Sequence, residues 1–317
     1  MADARQSKRV LITGATGFIG PKLARRLLAR GDRVLVHARD PAKARRLLGP
    51  EADVVSDPAH VPSTAGIDAI VNLAGESIAG GLWTRRRRER LIGSRLAVTG
   101  ALLELVARLN AKPTTWINAS AIGYYGPRDG DEPLDETTSA GKGLQAELCR
   151  RWEEAALEAG THGVHVAILR FGVVLGGDGG FLPAMARPVR LFAGTVLGTG
   201  RQWFSWVHVD DLLDLLLFAI DRERLTGPFN ATAPSPVRHA ELMAAIAASL
   251  HRPLWPLKIP APLLRTGLGE MAELFVDGQR VIPVRLQALK FRFRYPTIDA
   301  ALRQALAPSA ARVSGAS

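Results

Sequence analysis

Three glycines spaced three apart, Gly14, Gly17 and Gly20, follow a short apolar run (Val10-Leu11-Ile12) and lead into a helical pattern. In a strand–turn–helix setting this spacing has a specific use. Gly14 can take the positive φ of a tight turn, Gly17 lets the main chain approach a pyrophosphate, and Gly20 lets the helix pack on the strand. The N–H groups at the helix start, aided by the helix dipole, then face the phosphates. The expected chemistry is binding of a nicotinamide dinucleotide. The second strand ends Val36-His37-Ala38-Arg39-Asp40. An acidic group there accepts from the ribose hydroxyls of NAD, whereas a 2′-phosphate needs a cation. Arg39 is the first charged side chain past the strand, and its planar fork suits phosphate. NADP(H) is therefore favoured; Asp40 keeps NAD open if the strand runs one residue longer.

Groups able to move a proton are few. Tyr124 and Tyr125 sit on a loop leaving the carboxyl end of a strand, where this kind of sheet builds its sites. Glu76 leaves a neighbouring strand just after Gly75. The alternatives are that Tyr125 only stacks in its loop and that Glu76 only pairs with Arg95. His162 and His165 are separated by a glycine-bearing turn with no Cys or carboxylate to complete a set, so no metal is expected. His208 beside Asp210 reads as a strand end and helix cap more than a pocket wall. Gly176-Gly177-Asp178-Gly179-Gly180 lacks the lysine of a phosphate loop and reads as a flexible lid.

The elements that would hold these groups alternate. Strand-like runs at 9–13, 33–37, 69–73, 115–119 and 164–169 are separated by helical periodicity at 21–30, 41–48, 84–109 and 143–159. Such alternation signals a parallel, doubly wound sheet, an α/β fold of Rossmann type. Later, 206–209 reads as a strand, Asp210 and Asp211 as caps of a helix over 212–220, and 229–232 as a returning strand. Ser235-Pro236 reads as the start of a further helix. Prolines then break the chain beyond about 250. These features predict a dinucleotide-binding domain over 8–175 and 205–232, a smaller C-terminal substrate lobe over 176–204 and 233–310, and a frayed tail at 311–317.

The 317 residues are 47% hydrophobic and 22% charged, with a net charge of +11 that is mostly arginine. That composition fits a globular chain with a substantial core. No run approaches the roughly eighteen apolar residues of a membrane span, and no secretory signal is evident at the start. One cysteine, Cys149, excludes an internal disulfide framework and suits a cytoplasmic setting. The basic balance favours anionic small molecules. The run Arg85-Arg86-Arg87-Arg88-Glu89-Arg90 reads as a solvated helix face, not a nucleic-acid surface, because no aromatics interleave with it. The expected partner is a small substrate, with the protein a monomer or homodimer.

Thr13 to Gly20, Asn72-Leu73-Ala74-Gly75-Glu76, Ala119-Ser120-Ala121-Ile122-Gly123-Tyr124-Tyr125-Gly126, Arg151-Trp152-Glu153 and Ser205-Trp206-Val207-His208-Val209-Asp210-Asp211 together resemble the extended short-chain dehydrogenase/reductases. More narrowly they resemble the atypical NADP-binding group called epimerase family proteins. The resemblance implies a Rossmann domain with an added lobe. It implies cofactor contacts from Gly14, Thr16, Gly17, Phe18, Ile19, Gly20, Arg39, Leu73, Ala74 and Gly75. It also implies hydride transfer at a carbonyl carbon, with Ser120 steadying the oxygen. The superfamily's proton donor, a tyrosine with a lysine one helical turn on, is absent; Gln145 and Cys149 stand near those positions. Tyr124, Tyr125 or Glu76 must then serve, or the protein binds NADPH as a sensor without turnover. A nucleotide-sugar epimerase is a third reading and needs the same missing base.

Overall fold

The computed structural model describes residues 6–78, 80–128 and 130–307. The expected tail at 311–317 and the last residues of the expected lobe lie outside them. Along the chain, β1 (Arg9–Thr13) leads through α1 (Gly20–Ala29), β2 (Arg33–His37), α2 (Pro41–Leu48), β3 (Asp53–Val55), β4 (Ala69–Asn72), α3 (Arg85–Arg108), β5 (Thr115–Ala121) and α4 (Leu144–Leu157) to β6 (His165–Phe171). Next come β7 (Val173–Gly176), β8 (Gly179–Gly180), α5 (Leu182–Arg190), β9 (Trp203–Phe204), β10 (Trp206–His208), α6 (Val209–Asp221) and β11 (Gly227–Ala231). The last part holds β12 (Val237–Arg238), α7 (His239–Leu250), α8 (Ala261–Leu268), α9 (Glu273–Val276), α10 (Val284–Ala288) and α11 (Ile298–Leu306).

Seven strands form one parallel sheet in the order β11-β6-β5-β4-β1-β2-β3. The order reverses between β1 and β4, which opens a crevice at their carboxyl ends. Successive side chains of a strand face opposite sides, so Val10 and Ile12 join one core with α1 and α6 while Leu11 joins another with α3. Near-continuous apolar strands are what two covered faces demand. A third core, around Leu182, Trp206, Leu242, Ile246 and Leu302, unites α5, α7 and α11. The chain's last third is shared between cores: Leu286 is buried with the sheet, and Phe291 and Phe293 pack against it.

Several expectations change in detail. Trp206–His208 pairs with β7 in a separate small sheet, not with the large one. The cap of α6 is His208, whose Nδ1 accepts from the Asp210 N–H at 3.2 Å. Asp211 instead is buried and accepts from the Arg294 and Tyr295 N–H groups, tying the 290s to α6. Ser235-Pro236 opens no helix; the chain first makes β12 against β9, and α7 starts at His239. The 176–180 glycines form a β7–β8 hairpin, with Gly176 opposite Gly179. A Cβ at Gly176 or Gly179 would meet the Phe18 ring at 2.6 or 2.4 Å, so only glycine lets the hairpin fold over that ring. An ion pair from Lys22 to Asp178 reinforces the cover.

His239 is 5% exposed with Nδ1 lacking a partner, and burial pushes its pKa down to about 4. The unfolded chain takes up that proton near pH 6.5. The stability linked to the neutral ring is therefore complete above about pH 6.5 and is lost as pH falls toward 4. Asp211, raised to about 6 by burial, works in the opposite sense, favouring the fold at low pH and less so as pH rises through 6. Measured by urea denaturation, the stability gap between the parent and His239→Gln should shrink by roughly 2 kcal/mol between pH 7 and pH 5. Parallel pH curves would contradict the burial of a neutral imidazole.

Candidate functional site

The carboxyl ends of β1, β4 and β5 are stitched by a buried run of side chains. Thr13 Oγ1 donates to Asn72 Oδ1 at 2.7 Å, and Asn72 Nδ2 reaches Asn118 Oδ1 at 2.7 Å and Thr99 at 3.1 Å. The Ala74 N–H closes onto Thr13 Oγ1 at 3.2 Å. These bonds hold Leu73-Ala74-Gly75 beside the first turn. The approach is tight: at Gly14, with φ of 70°, a Cβ would lie 2.6 Å from the Leu73 carbonyl oxygen. At Gly20 a Cβ would run into Ala15 Cα and the Gly14 carbonyl oxygen, both at 2.5 Å. Gly17 differs, since its nearest obstacle is 3.3 Å away. Its lack of a side chain thus leaves room for something other than the fold.

That room is a cavity of about 440 Å³ lined by Gly14, Thr16, Gly17, His37, Ala38, Arg39, Leu73, Ala74, Gly75, Glu76 and Ser94 with Ala97 and Val98. The helix α1 starts three residues after Gly17, capped by Ile19 with no side-chain bond. Phe18 turns away under the hairpin and Ile19 packs into the sheet core, so among the turn residues only Gly14, Thr16 and Gly17 line the cavity. The donor set fits a phosphorylated dinucleotide: main-chain N–H groups at a helix start, a glycine floor and one exposed guanidinium. Asp40 is engaged elsewhere, its Oδ1 accepting from Lys43 N at 2.9 Å as the N-cap of α2. His37 is buried, which lowers its pKa and keeps that wall uncharged.

The proton-transfer candidates are arranged otherwise than the sequence suggests. Ser120 is 3% exposed and donates to Glu153 Oε1 at 2.6 Å. Glu153 is held in turn by Arg170, through Nε at 3.0 Å and Nη2 at 2.8 Å. Tyr125 is wholly buried, with its hydroxyl 2.7 Å from Asn230 Oδ1, 2.9 Å from the Asp135 carbonyl and 3.0 Å from Arg170 Nη1. Burial raises its pKa to about 12. A phenol so enclosed is a structural anchor; it neither merely stacks nor faces a substrate. Tyr124 remains half-buried, its ring 3.4 Å from the Arg170 guanidinium carbon. Cys149 lies beside Ser120, its thiol pushed up to about 11 by burial and by the Glu153 charge.

Glu76 pairs with Arg87 at 2.9 Å and Arg90 at 3.8 Å. Arg95, its expected partner, bonds the Glu76 carbonyl oxygen instead, at 3.1 Å. The basic run is thus more than a solvated face: Arg87 and Arg90 hold Glu76, and Arg88 holds Glu270. Glu270 begins a segment that the sequence did not flag. Met271 and Leu274 pack against the buried cluster of Trp83, Leu91, Ala119, Leu148, Cys149 and Trp152, on which Leu73, Ala121 and Tyr124 also pack, so the C-terminal chain joins the core beside β5. Glu273 accepts a hydrogen bond from the Gln145 side chain, and Gln145 abuts Gly123. Burial, then the charges of Asp277 and Glu270, raise its pKa. A carboxyl whose pKa is raised is thereby brought against Gln145, near the helix position where a tyrosine was sought. Its only sequence signal was an acidic residue in an apolar stretch, too common to weigh.

Among the described residues no group of three or more His, Cys, Asp and Glu is arranged for a metal ion, and no helix is long and apolar enough to cross a membrane. Removing half of the buried ion pair, as Glu153→Gln does, should cost about 3–5 kcal/mol, because Arg170 is left uncompensated. Tyr125→Phe should cost about 1–3 kcal/mol and Glu76→Gln, on the rim, under about 1 kcal/mol. Urea denaturation of the three variants checks this ranking.

The model of the NAD dependent epimerase/dehydratase family matches residues 10–231, and a domain of unknown function, DUF1731, matches 259–305, the part that contributes Glu273. A chloroplastic epimerase family protein, the SDR39U1 homolog of Arabidopsis thaliana, is 40% identical over 300 residues, 93% of this chain and 85% of that one. An epimerase family protein of Mycobacterium leprae is 40% identical over 314 residues, 96% of this chain and 98% of its own. Among solved structures, human epimerase family protein SDR39U1 with NADPH superposes with a TM-score of 0.83 at 32% identity, covering 94% of this chain and 98% of that one. A UDP-glucose 4-epimerase of Thermus thermophilus with NAD, 20% identical over 98% of this chain and 100% of its own with a TM-score of 0.74, shares the fold.

Proposed function

The chain belongs to the NAD-dependent epimerase/dehydratase family, and from that premise we propose that it is an NADP(H)-dependent oxidoreductase of the extended short-chain type, acting on a small carbonyl or alcohol. The observation that carries the cofactor choice is the division of labour at the end of β2. Asp40 spends its carboxylate on capping α2, while Arg39 stands exposed on the cavity wall. The human relative solved with NADPH supports the same choice. When bound, the cofactor supplies or accepts a hydride at the carbon bearing the substrate oxygen. Gly14, Thr16 and Gly17 with the start of α1 take its phosphates, and Leu73-Ala74-Gly75 flank it. A small-molecule partner without nucleic acid or membrane, a monomeric or homodimeric state and a cytoplasmic location belong to the same proposal; the Arabidopsis relative is named chloroplastic.

The proton on the substrate oxygen comes from Tyr124 or Glu273. Ser120 and Tyr125 are bound into the Arg170–Glu153 pair, and Glu76 is held as an ion by two arginines. The same engagement of Ser120 and Tyr125 favours one second reading, an NADPH-sensing binding protein.

Arg39→Ala should weaken NADPH by about 1.5–3 kcal/mol, the range for hydrogen bonds to charged groups, and leave NADH little changed. Calorimetric titration of both cofactors reads this directly; tighter NADH than NADPH binding by the parent sinks the Arg39 role. In NADPH oxidation with a panel of aldehydes, replacing the donor should lower kcat about 10²–10⁴-fold. Tyr124→Phe and Glu273→Gln are the two tests, with Cys149→Ser unaffected. If Glu273 is the acid, the rate falls as pH rises through a pKa above the ordinary carboxylate range, as its burial dictates. A parent that binds NADPH tightly and oxidises it with nothing leaves the sensor reading standing.

A further inference from the structure

Behind the crevice the smaller core encloses a second cavity, of about 310 Å³, between α5, α7 and the segments 193–204 and 274–277. Its wall is chiefly Phe181, Met185, Leu197, Phe204, Met243 and Phe275. No lysine or arginine is among its lining residues. The one anionic side chain there, Asp277, is paired with Arg265 at 3.0 Å. His239, also on the wall, is neutral at pH 7. A diphosphate would therefore enter with two or more negative charges and meet an apolar surface, a carboxylate and no cation. Burying such charges unpaired costs far more than contact with an apolar wall returns.

Two polar atoms on this wall lack partners among the described residues. Gln202 spends its Nε2 on the carbonyls of Leu197 and Phe275, both at 2.9 Å, which leaves Oε1 buried and unbonded. The Nδ1 of His239 is likewise buried and unbonded. Leaving such atoms unsatisfied is costly, and a small turn of either side chain toward the cavity would let a ligand hydroxyl, which can donate to Oε1, recover the loss. The cavity also adjoins the reacting corner. Leu274 belongs to its wall and packs on the same buried cluster, around Ala119 and Cys149, as Tyr124 and Ala121 do, and Glu273 is the residue before it. Water occupies about 30 Å³ per molecule, so the space holds on the order of ten water-sized groups.

We propose that this cavity binds an uncharged, mostly apolar molecule, an aliphatic or aromatic carbonyl or alcohol of moderate size, and not a nucleotide sugar. That this ligand is the substrate rests on the oxidoreductase reading; that the cavity takes an apolar neutral ligand does not. The walls grip its apolar body, Gln202 and His239 take one polar group, and the reacting end points toward Tyr124 and Glu273.

The full-length protein, with and without NADPH, is titrated with the uncharged fluorophore N-phenyl-1-naphthylamine. The proposal expects one saturable site per chain, displaced by 1-decanol and untouched by UDP-glucose. Met243→Trp should fill the cavity and weaken the probe at least tenfold with NADPH affinity unchanged. Ala184→Trp, on the exposed side of α5 at the cavity, gives the same readout without touching the core. Absence of a saturable site, displacement by UDP-glucose, or unchanged probe affinity in a folded variant overturns the proposal. A protein that binds the probe but not NADPH refutes the oxidoreductase reading and leaves the cavity's ligand class intact; the reverse outcome refutes the cavity alone.

Discussion

Arg170 on β6 stands beside Ser120 on β5, and its charge is buried with that of Glu153 on α4. Taking two ions out of water costs several kcal/mol each, and only full hydrogen bonding offsets it. Here the bonding is complete. Glu153 receives Arg170 through two nitrogens and Ser120 through its hydroxyl, while the third guanidinium nitrogen reaches Tyr125. Tyr125 passes the connection to Asn230 on β11, whose Nδ2 donates to the Ile282 carbonyl at 3.0 Å. Glu136 accepts from the N–H groups of Asn230 and Arg285. One ion pair thus fixes the edge of the sheet, the loop after β5 and the return of the C-terminal chain.

That constraint decides where chemistry can occur. Ser120, to which the resemblance assigns the substrate oxygen, is consumed in holding the fold, and so is Tyr125. What remains in the crevice comes from two directions: the half-buried Tyr124 over Arg170, and a segment from the far end of the chain. Glu270 anchors that segment to Arg88, Met271 and Leu274 seat it on the β4–β5 end, and Glu273 meets Gln145. A phenol needs a neighbouring lysine to give up its proton near neutrality, whereas a carboxyl needs only burial and like charges to keep one.

The sheet was legible because its strands are apolar on both faces and its first turn needs glycine at fixed places. Gly20 is dictated by contacts within a few residues and Gly14 by the positive φ of its own turn, and such local constraints leave a mark in the sequence, even though Gly14 also abuts the distant Leu73. The active corner was not legible, for the opposite reason. Glu153 meets Arg170 across 17 residues, Tyr125 meets Asn230 across 105, and Glu273 meets Gln145 from further still, and each looks ordinary in its own neighbourhood. An arginine inside the apolar run Val166-Ala167-Ile168-Leu169-Arg170-Phe171 was the one available sign of a buried partner. The glycines at 176–180 also have a packing role that the sequence did not show, since Gly176, Gly179 and Gly180 lie against the Phe18 ring. The Ser235-Pro236 start misled because β9 offered a pairing partner that helix propensity does not foresee.

The central claim is that the crevice between β1 and β4 holds NADP(H), with specificity set at the end of β2. Hydrogen–deuterium exchange of the full chain, with and without saturating NADPH, tests it most directly, since it reports which amides the cofactor covers without any substrate. The account predicts protection concentrated at residues 14–18, 37–40 and 73–76, with the 37–40 protection absent or much reduced when NADH replaces NADPH. Protection that is missing from 14–18, or equal at 37–40 for both cofactors, would contradict it.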